Sequence, residues 1–436
     1  MRSTLLIATT ISASPLLAQA GQAGPIDTAL AREYFQEAHA AAARDGGRLW
    51  GIPLDGTLMF AEPKGRTVVA ERGDTAGLLT RTGAVWTGTM PTNRNVANTA
   101  QEWGGVLWTT VVWPPPAGSD AEARALRAEL FGHELWHAIQ ERIGLPGADP
   151  PNPHLERADA RTWLRLEGRA LNAALASTGA ARRQAIEDAL RFRALRHERF
   201  PGAAESERAL ERHEGMASYT GIRVSGRDSA GMIDRARQKL AELDAAEHYA
   251  RSFAYATGPA LGLLLDGALS DWRTRLGGGK GPADLLVEAY PVRGVDAERR
   301  GDAYGLGAVR AAEQEREARR EARLAQLSAA LLEGPVIELP FGQVQLQIDP
   351  NGAEPLREAG TVYVTLRVSD RWGVLDVKGG TALVAGNFSS VRIPRPEGAQ
   401  AGSSGLLRGD GWTLTLAEGY ALSAGARAGD LTAVRR

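Results

Sequence analysis

The stretch FGHELWHAIQ, Phe131 to Gln140, places two histidines four residues apart with a glutamate directly after the first. On a helix, positions i and i+4 share a face, so His133 and His137 can offer two imidazole nitrogens to one tetrahedral zinc. Glu134 lies beside that face. From there it is placed to accept a proton from a water that zinc has acidified to a pKa of about 7. Ser119-Asp120-Ala121-Glu122 reads as a capping box with Ser119 as the cap, which predicts a helix from about Asp120 to Arg142, closed by Gly144 and Pro146. Leu126 and Leu130 share the stripe of the two histidines, whereas Phe131, Leu135 and Ile139 lie nearer the opposite side, so the helix is expected to be embedded in a core on more than one face. An unpaired polar group buried there costs about 1–3 kcal/mol, and zinc would supply the missing partner. The competing reading is a metal-free helix whose polar groups find other partners.

A catalytic zinc needs a third protein ligand and an open fourth position. The chain has no cysteine, so the third ligand must be a glutamate, aspartate or histidine. Seven and ten residues beyond His133 stand Gln140 and Ile143, where the metzincin pattern requires Gly and His. Two glutamates stand out downstream. Glu214, in ERHEGMASYTG, shares a stripe with Leu210 and Ala217 and precedes Gly215, which is expected to let its helix approach the zinc helix closely. Glu167, in TWLRLEGRAL, lies in a stripe with Leu164, Leu171 and Leu175 and is the alternative third ligand.

HELWH followed by HEGMASY resembles the gluzincin metallopeptidases, the thermolysin and aminopeptidase N group, over roughly residues 100 to 222. The resemblance implies a zincin-like catalytic domain, with His133 and His137 as ligands, Glu134 as catalytic base and Glu214 as third ligand. The chain departs from that pattern in the much longer interval before Glu214 and in having His213 where the aminopeptidases have Asn. In gluzincins a strand with an exposed edge precedes the zinc helix and pairs with an extended substrate; Val106 to Trp113 occupies that place, and a buried core strand is the other reading. Tyr219 and Tyr255 are candidate donors to the oxyanion of the tetrahedral intermediate, or simply packing residues.

With 51 Lys and Arg against 52 Asp and Glu, nothing in the charge points to a nucleic-acid partner. The N-terminal residues MRSTLLIATTISASPLLAQA have the layout of a secretory signal peptide over 1–20, cleaved after Ala20, with no membrane span to follow, so the mature protein is expected to be periplasmic or secreted. The fold class is read as α+β. A β-rich part is expected at 21–116, a mostly helical catalytic part at 117–333 and a C-terminal all-β domain at 334–436, a small sandwich or open barrel. The charged run 313–333 reads as a solvated linker helix.

The other signals read as structure. GGGKG at 277–281 lacks the spacing of a phosphate loop and reads as a helix connection; DPNG at 349–352 is a turn. His39, His154, His197 and His248 read as surface residues, and the tryptophans Trp50, Trp86, Trp103, Trp108 and Trp113 as core. The resulting expectation is an exported zinc metallopeptidase acting on peptides or proteins. The alternatives are a zinc hydrolase of non-peptide bonds, or a non-catalytic envelope binding or structural protein in which the helix is a relic.

Overall fold

The computed structural model describes residues 25–92, 94, 96–292, 296–348 and 353–436. The export signal read at 1–20 and the turn at 349–352 lie outside these residues. The chain is mixed, with an N-terminal sheet, a helical middle and a C-terminal sheet, as the α+β reading expects. It forms two compact units, one ending at Gln314 and one running from Glu315 to Arg436, so the division falls inside the helix that spans Leu306–Ser328.

The first unit opens with helix α1 (Thr28–Asp45), capped by Asp27 and closed by Gly46 in the left-handed region at φ 59°. Six strands follow: β1 (Thr57–Ala61), β2 (Thr67–Ala70), β3 (Thr80–Thr82), β4 (Val85–Thr89), β5 (Thr99–Trp103) and β6 (Val106–Val112). They form one sheet in the order β3-β4-β2-β1-β6-β5, in which only β1 and β6 run parallel. Its central strand is apolar on both faces because both are covered. Leu58 and Phe60 join the core beneath the helices, while Met59 and Ala61 join a second cluster with Trp103 and Trp108. Strand β6 lies between β1 and β5, so the core-strand reading holds for it, and β5 is the outer strand on that side of the sheet among the described residues.

Helix α2 (Ala121–Ile139) packs against β5 and β6. Its N-cap is Asp120, not Ser119: the Asp120 carboxylate accepts from the Ala123 N–H at 2.7 Å. Glu122 does not reach back to close a capping box but pairs with Arg227 at 2.5 Å. The helical part continues with α3 (Ala158–Ala176), α4 (Gly179–Arg199), α5 (Ala203–Leu210), a π-helical turn (Glu211–Gly215), α6 (Met216–Val224), α7 (Ser229–Asp244), α8 (Ser252–Asp266), α9 (Pro282–Ala289), α10 (Ala297–Gly301) and α11 (Leu306–Ser328). GGGKG forms a tight reversal closed by paired backbone bonds between Gly277 and Lys280, with Gly278 and Gly279 at φ 57° and 90°. Trp50, Trp103, Trp108 and Trp113 are buried, and Trp86 is partly so.

In the second unit, ten strands run from β7 (Val336–Pro340) to β16 (Leu431–Arg435), mostly antiparallel. Leu339, Val368, Leu375, Val391, Leu414 and Leu422 contribute to one apolar core.

Candidate metal centre

The centre is assembled by close packing of glycines. Gly132 of α2 and Gly221 of α6 face each other: a Cβ built on Gly221 would stand 2.2 Å from the Glu129 carbonyl oxygen, and one on Gly132 would stand 3.0 Å from the Gly221 Cα. Gly215, expected to bring its helix against α2, instead packs on α8, 3.1 Å from Gly258 by the same measure. The indole N–H of Trp136 also ties α2 to the π-helical turn by donating to the His213 carbonyl at 3.2 Å. That turn inserts Glu214 toward the histidines, and such bulges are frequent at functional sites. Glu211, on the same turn, is held by Arg193 at 2.6 and 2.8 Å and by the Thr257 hydroxyl at 2.7 Å.

His133, His137 and Glu214 converge. The two Nε2 atoms are 3.2 Å apart, and Oε2 of Glu214 lies 3.2 Å from that of His133 and 3.7 Å from that of His137. Zinc bonds of about 2.0–2.1 Å in tetrahedral geometry place ligand atoms about 3.3 Å from one another. The three donors therefore fit one zinc ion, and they are the one such group among the described residues. Oε2 of Glu214 is buried without a hydrogen-bond partner, an arrangement that costs free energy unless something else meets the lone pairs. Ser218 Oγ lies 3.3 Å from His133 Nδ1 and can accept its N–H, which leaves Nε2 as the coordinating atom.

The electrostatics agree with a cation-binding set. Burial opposes the charge on Glu214, but the imidazoles of His133 and His137 beside it hold its carboxyl well below the usual carboxylate range. Burial likewise opposes a charged His137, and the Glu214 and Glu134 carboxylates overcome it and raise its pKa. His213, whose ring is 4.6 Å from that of His137, is lowered to about 4 by burial and by the neighbouring His137, so it is a neutral imidazole near pH 7. Its Nδ1 is 3.0 Å from Gln140 Oε1.

Glu134 is 4% exposed and makes no hydrogen bond among the described residues. Burial pushes its carboxyl upward, with His133 and His137 pulling the other way. Glu167, the alternative third ligand, is placed elsewhere: it pairs with Arg193 at 2.6 Å and Arg196 at 2.7 Å, away from the histidine pair. Its burial in an apolar stripe thus has a structural cause. Of the two tyrosines, Tyr255 stacks on His133 with ring centroids 5.6 Å apart and planes 8° apart. The Tyr219 hydroxyl is committed to Asp266 at 2.8 Å and its ring lies against Trp50 and Trp272, whereas Tyr255 is the tyrosine beside the histidines.

Other histidines correct the surface reading in part. His154 and His197 both bond the buried Glu207, at 2.7 and 2.8 Å, while His39 and His248 are exposed. Sequence reasoning missed Arg251, which bonds Glu214 Oε1 at 2.5 Å; its one legible signal is its place one helical turn before Tyr255. Comparison of the chain with protein-family models, with curated proteins and with solved structures finds no match. The gluzincin likeness accordingly rests on the residues themselves.

Proposed function

We propose that the protein is an exported zinc-dependent hydrolase of peptide bonds, of gluzincin type, with His133, His137 and Glu214 as metal ligands and Glu134 as general base. The observation that carries this reading is the pairing of a three-donor set with a buried carboxylate that serves no structural bond. Among the described residues, the buried carboxylates of Glu129, Glu167, Glu207 and Glu211 are paired with cationic side chains. Glu134 departs from that pattern beside the donors, where general-base chemistry needs an ionisable group.

His133, His137 and Glu214 would hold the zinc, which would supply a Lewis acid able to polarise a carbonyl and to make a water acidic near neutral pH. Glu134 takes a proton from the attacking water as its oxygen bonds to the carbonyl carbon, and returns that proton to the amine as the C–N bond breaks. Tyr255, whose ring stacks on His133, is the phenol that would donate to the carbonyl oxygen as it gains charge. The outer strand β5, beside α2, would take the substrate-pairing role first considered for β6. The test is hydrolysis of casein and peptides beside a panel of esters. Zinc-dependent cleavage of casein supports the reading, cleavage of esters alone moves the substrate class, and cleavage insensitive to chelation removes the metal role.

A further inference from the structure

We propose that Arg251 is a positioning residue for this centre: its guanidinium engages one oxygen of Glu214, leaving the other alone to meet the metal, and braces Tyr255 against His133. The inference rests on the metal reading above and adds how the ligand set is held. Three donors of one planar fork reach three groups. Nη2 lies 2.5 Å from Glu214 Oε1, Nη1 lies 2.5 Å from the Tyr255 hydroxyl, and Nε lies 3.0 Å from Asp149 Oδ2.

Each contact limits a different freedom. Glu214 has two oxygens, and a carboxylate beside a cation can bind through one or both; the bond to Oε1 disfavours the two-oxygen mode, while Oε2 faces the histidines. Tyr255, one turn along α8, is held flat on the His133 ring by the same guanidinium. Asp149 belongs to the segment that follows α2, and Asn152 secures that segment by donating to the carbonyl of Ala250, the residue before Arg251, at 3.1 Å. Both metal-binding elements, α2 through Tyr255 and His133, and the π-helical turn through Glu214, are therefore indexed to one side chain. A lysine cannot reproduce this, because an ammonium is a point charge without the fork.

Cobalt(II) replaces zinc and reports coordination number through its visible absorption, which is intense for four ligands and weak for five or six. The whole protein and its Arg251→Gln and Arg251→Lys variants are titrated with cobalt, with near-UV circular dichroism of each metal-free chain as the check on folding. The wild type is expected to show the intense four-coordinate spectrum. Arg251→Gln is expected to lose most of that intensity as Glu214 binds through both oxygens, and to bind cobalt about 10–100-fold more weakly. Arg251→Lys keeps the charge, and its spectrum still departs from the wild type. If Arg251→Gln folds poorly, Arg251→Lys decides the matter. A wild-type spectrum and affinity in Arg251→Lys shows that Arg251 only balances charge, and the same result in Arg251→Gln shows that it does not act on the ligand set; either overturns the proposal. A wild type that binds no cobalt overturns the metal centre itself, and the proposal with it.

Discussion

Replacing Gly221 by alanine tests the packing on which the centre depends. A Cβ there would stand 2.2 Å from the Glu129 carbonyl oxygen of α2. Ordinary C···O contact begins near about 3.3 Å, so α2 and α6 would part by roughly 1 Å. The obstacle is backbone of a neighbouring helix rather than the end of a flexible side chain. The cost therefore belongs at the upper end of the overpacking range, about 3 kcal/mol, of which alanine returns about 1 kcal/mol through its helix preference. A net loss of about 2 kcal/mol is expected in urea unfolding of the metal-free protein, followed by tryptophan fluorescence. Zinc binding suffers further, because Glu214 lies just before α6 and ligand distances tolerate only about 0.2 Å. Gly307→Ala is the matched control: nothing lies within 4 Å of the added Cβ, and a gain of about 0.5–1 kcal/mol is expected. A Gly221→Ala protein as stable as the wild type, with unchanged zinc affinity, would refute the close-packing argument.

Metal analysis of Glu214→Ala and Glu167→Ala, side by side, separates the two candidate ligands. Glu214→Ala is expected to lose zinc, whereas Glu167→Ala keeps it but leaves Arg193 and Arg196 short of a buried partner, a destabilisation of about 3–5 kcal/mol by urea unfolding. Loss of zinc in Glu167→Ala alone reverses the assignment. Acid stability tests Glu129, whose carboxyl is resisted by burial yet pushed down to about 2 by Lys239 and Arg235. Because the folded value lies below the unfolded one, its stabilisation is present above about pH 4.5 and drains away toward pH 2. The difference amounts to about 3 kcal/mol, reduced by the burial cost that lowers the pKa of Lys239. Stability against pH should flatten across that window in Glu129→Gln, and an unchanged acid limb would sink the assignment.

Helix α2 was legible because its chemistry and its periodicity coincide: His133 and His137 fall on one face, and the residues around them need a core. Glu214 was visible as a carboxylate in an apolar stripe, but so was Glu167, and stripe position cannot tell a metal ligand from a buried ion pair. The discriminating partners, Arg193 and Arg196, stand 26 and 29 residues after Glu167 on another helix, and only the tertiary pairing reveals them. The π-helical turn was illegible for a different reason, since one extra residue in a helical turn leaves no mark on an ordinary 3.6-residue pattern. The sequence points to Gly215 as the contact with α2, whereas Gly221 makes it and Gly215 meets α8; a helical glycine permits a close approach, and the sequence does not say to what. Ser119 lost the cap to Asp120 because both are good cap residues one position apart.

The central claim is tested most directly by metal content and hydrolysis of the wild type and Glu134→Gln measured together. The account predicts about one zinc per chain in both proteins, with hydrolysis of casein reduced by about 10²–10⁴-fold in Glu134→Gln. A folded wild type without zinc affinity, or a Glu134→Gln protein that hydrolyses as fast as the wild type, would contradict it.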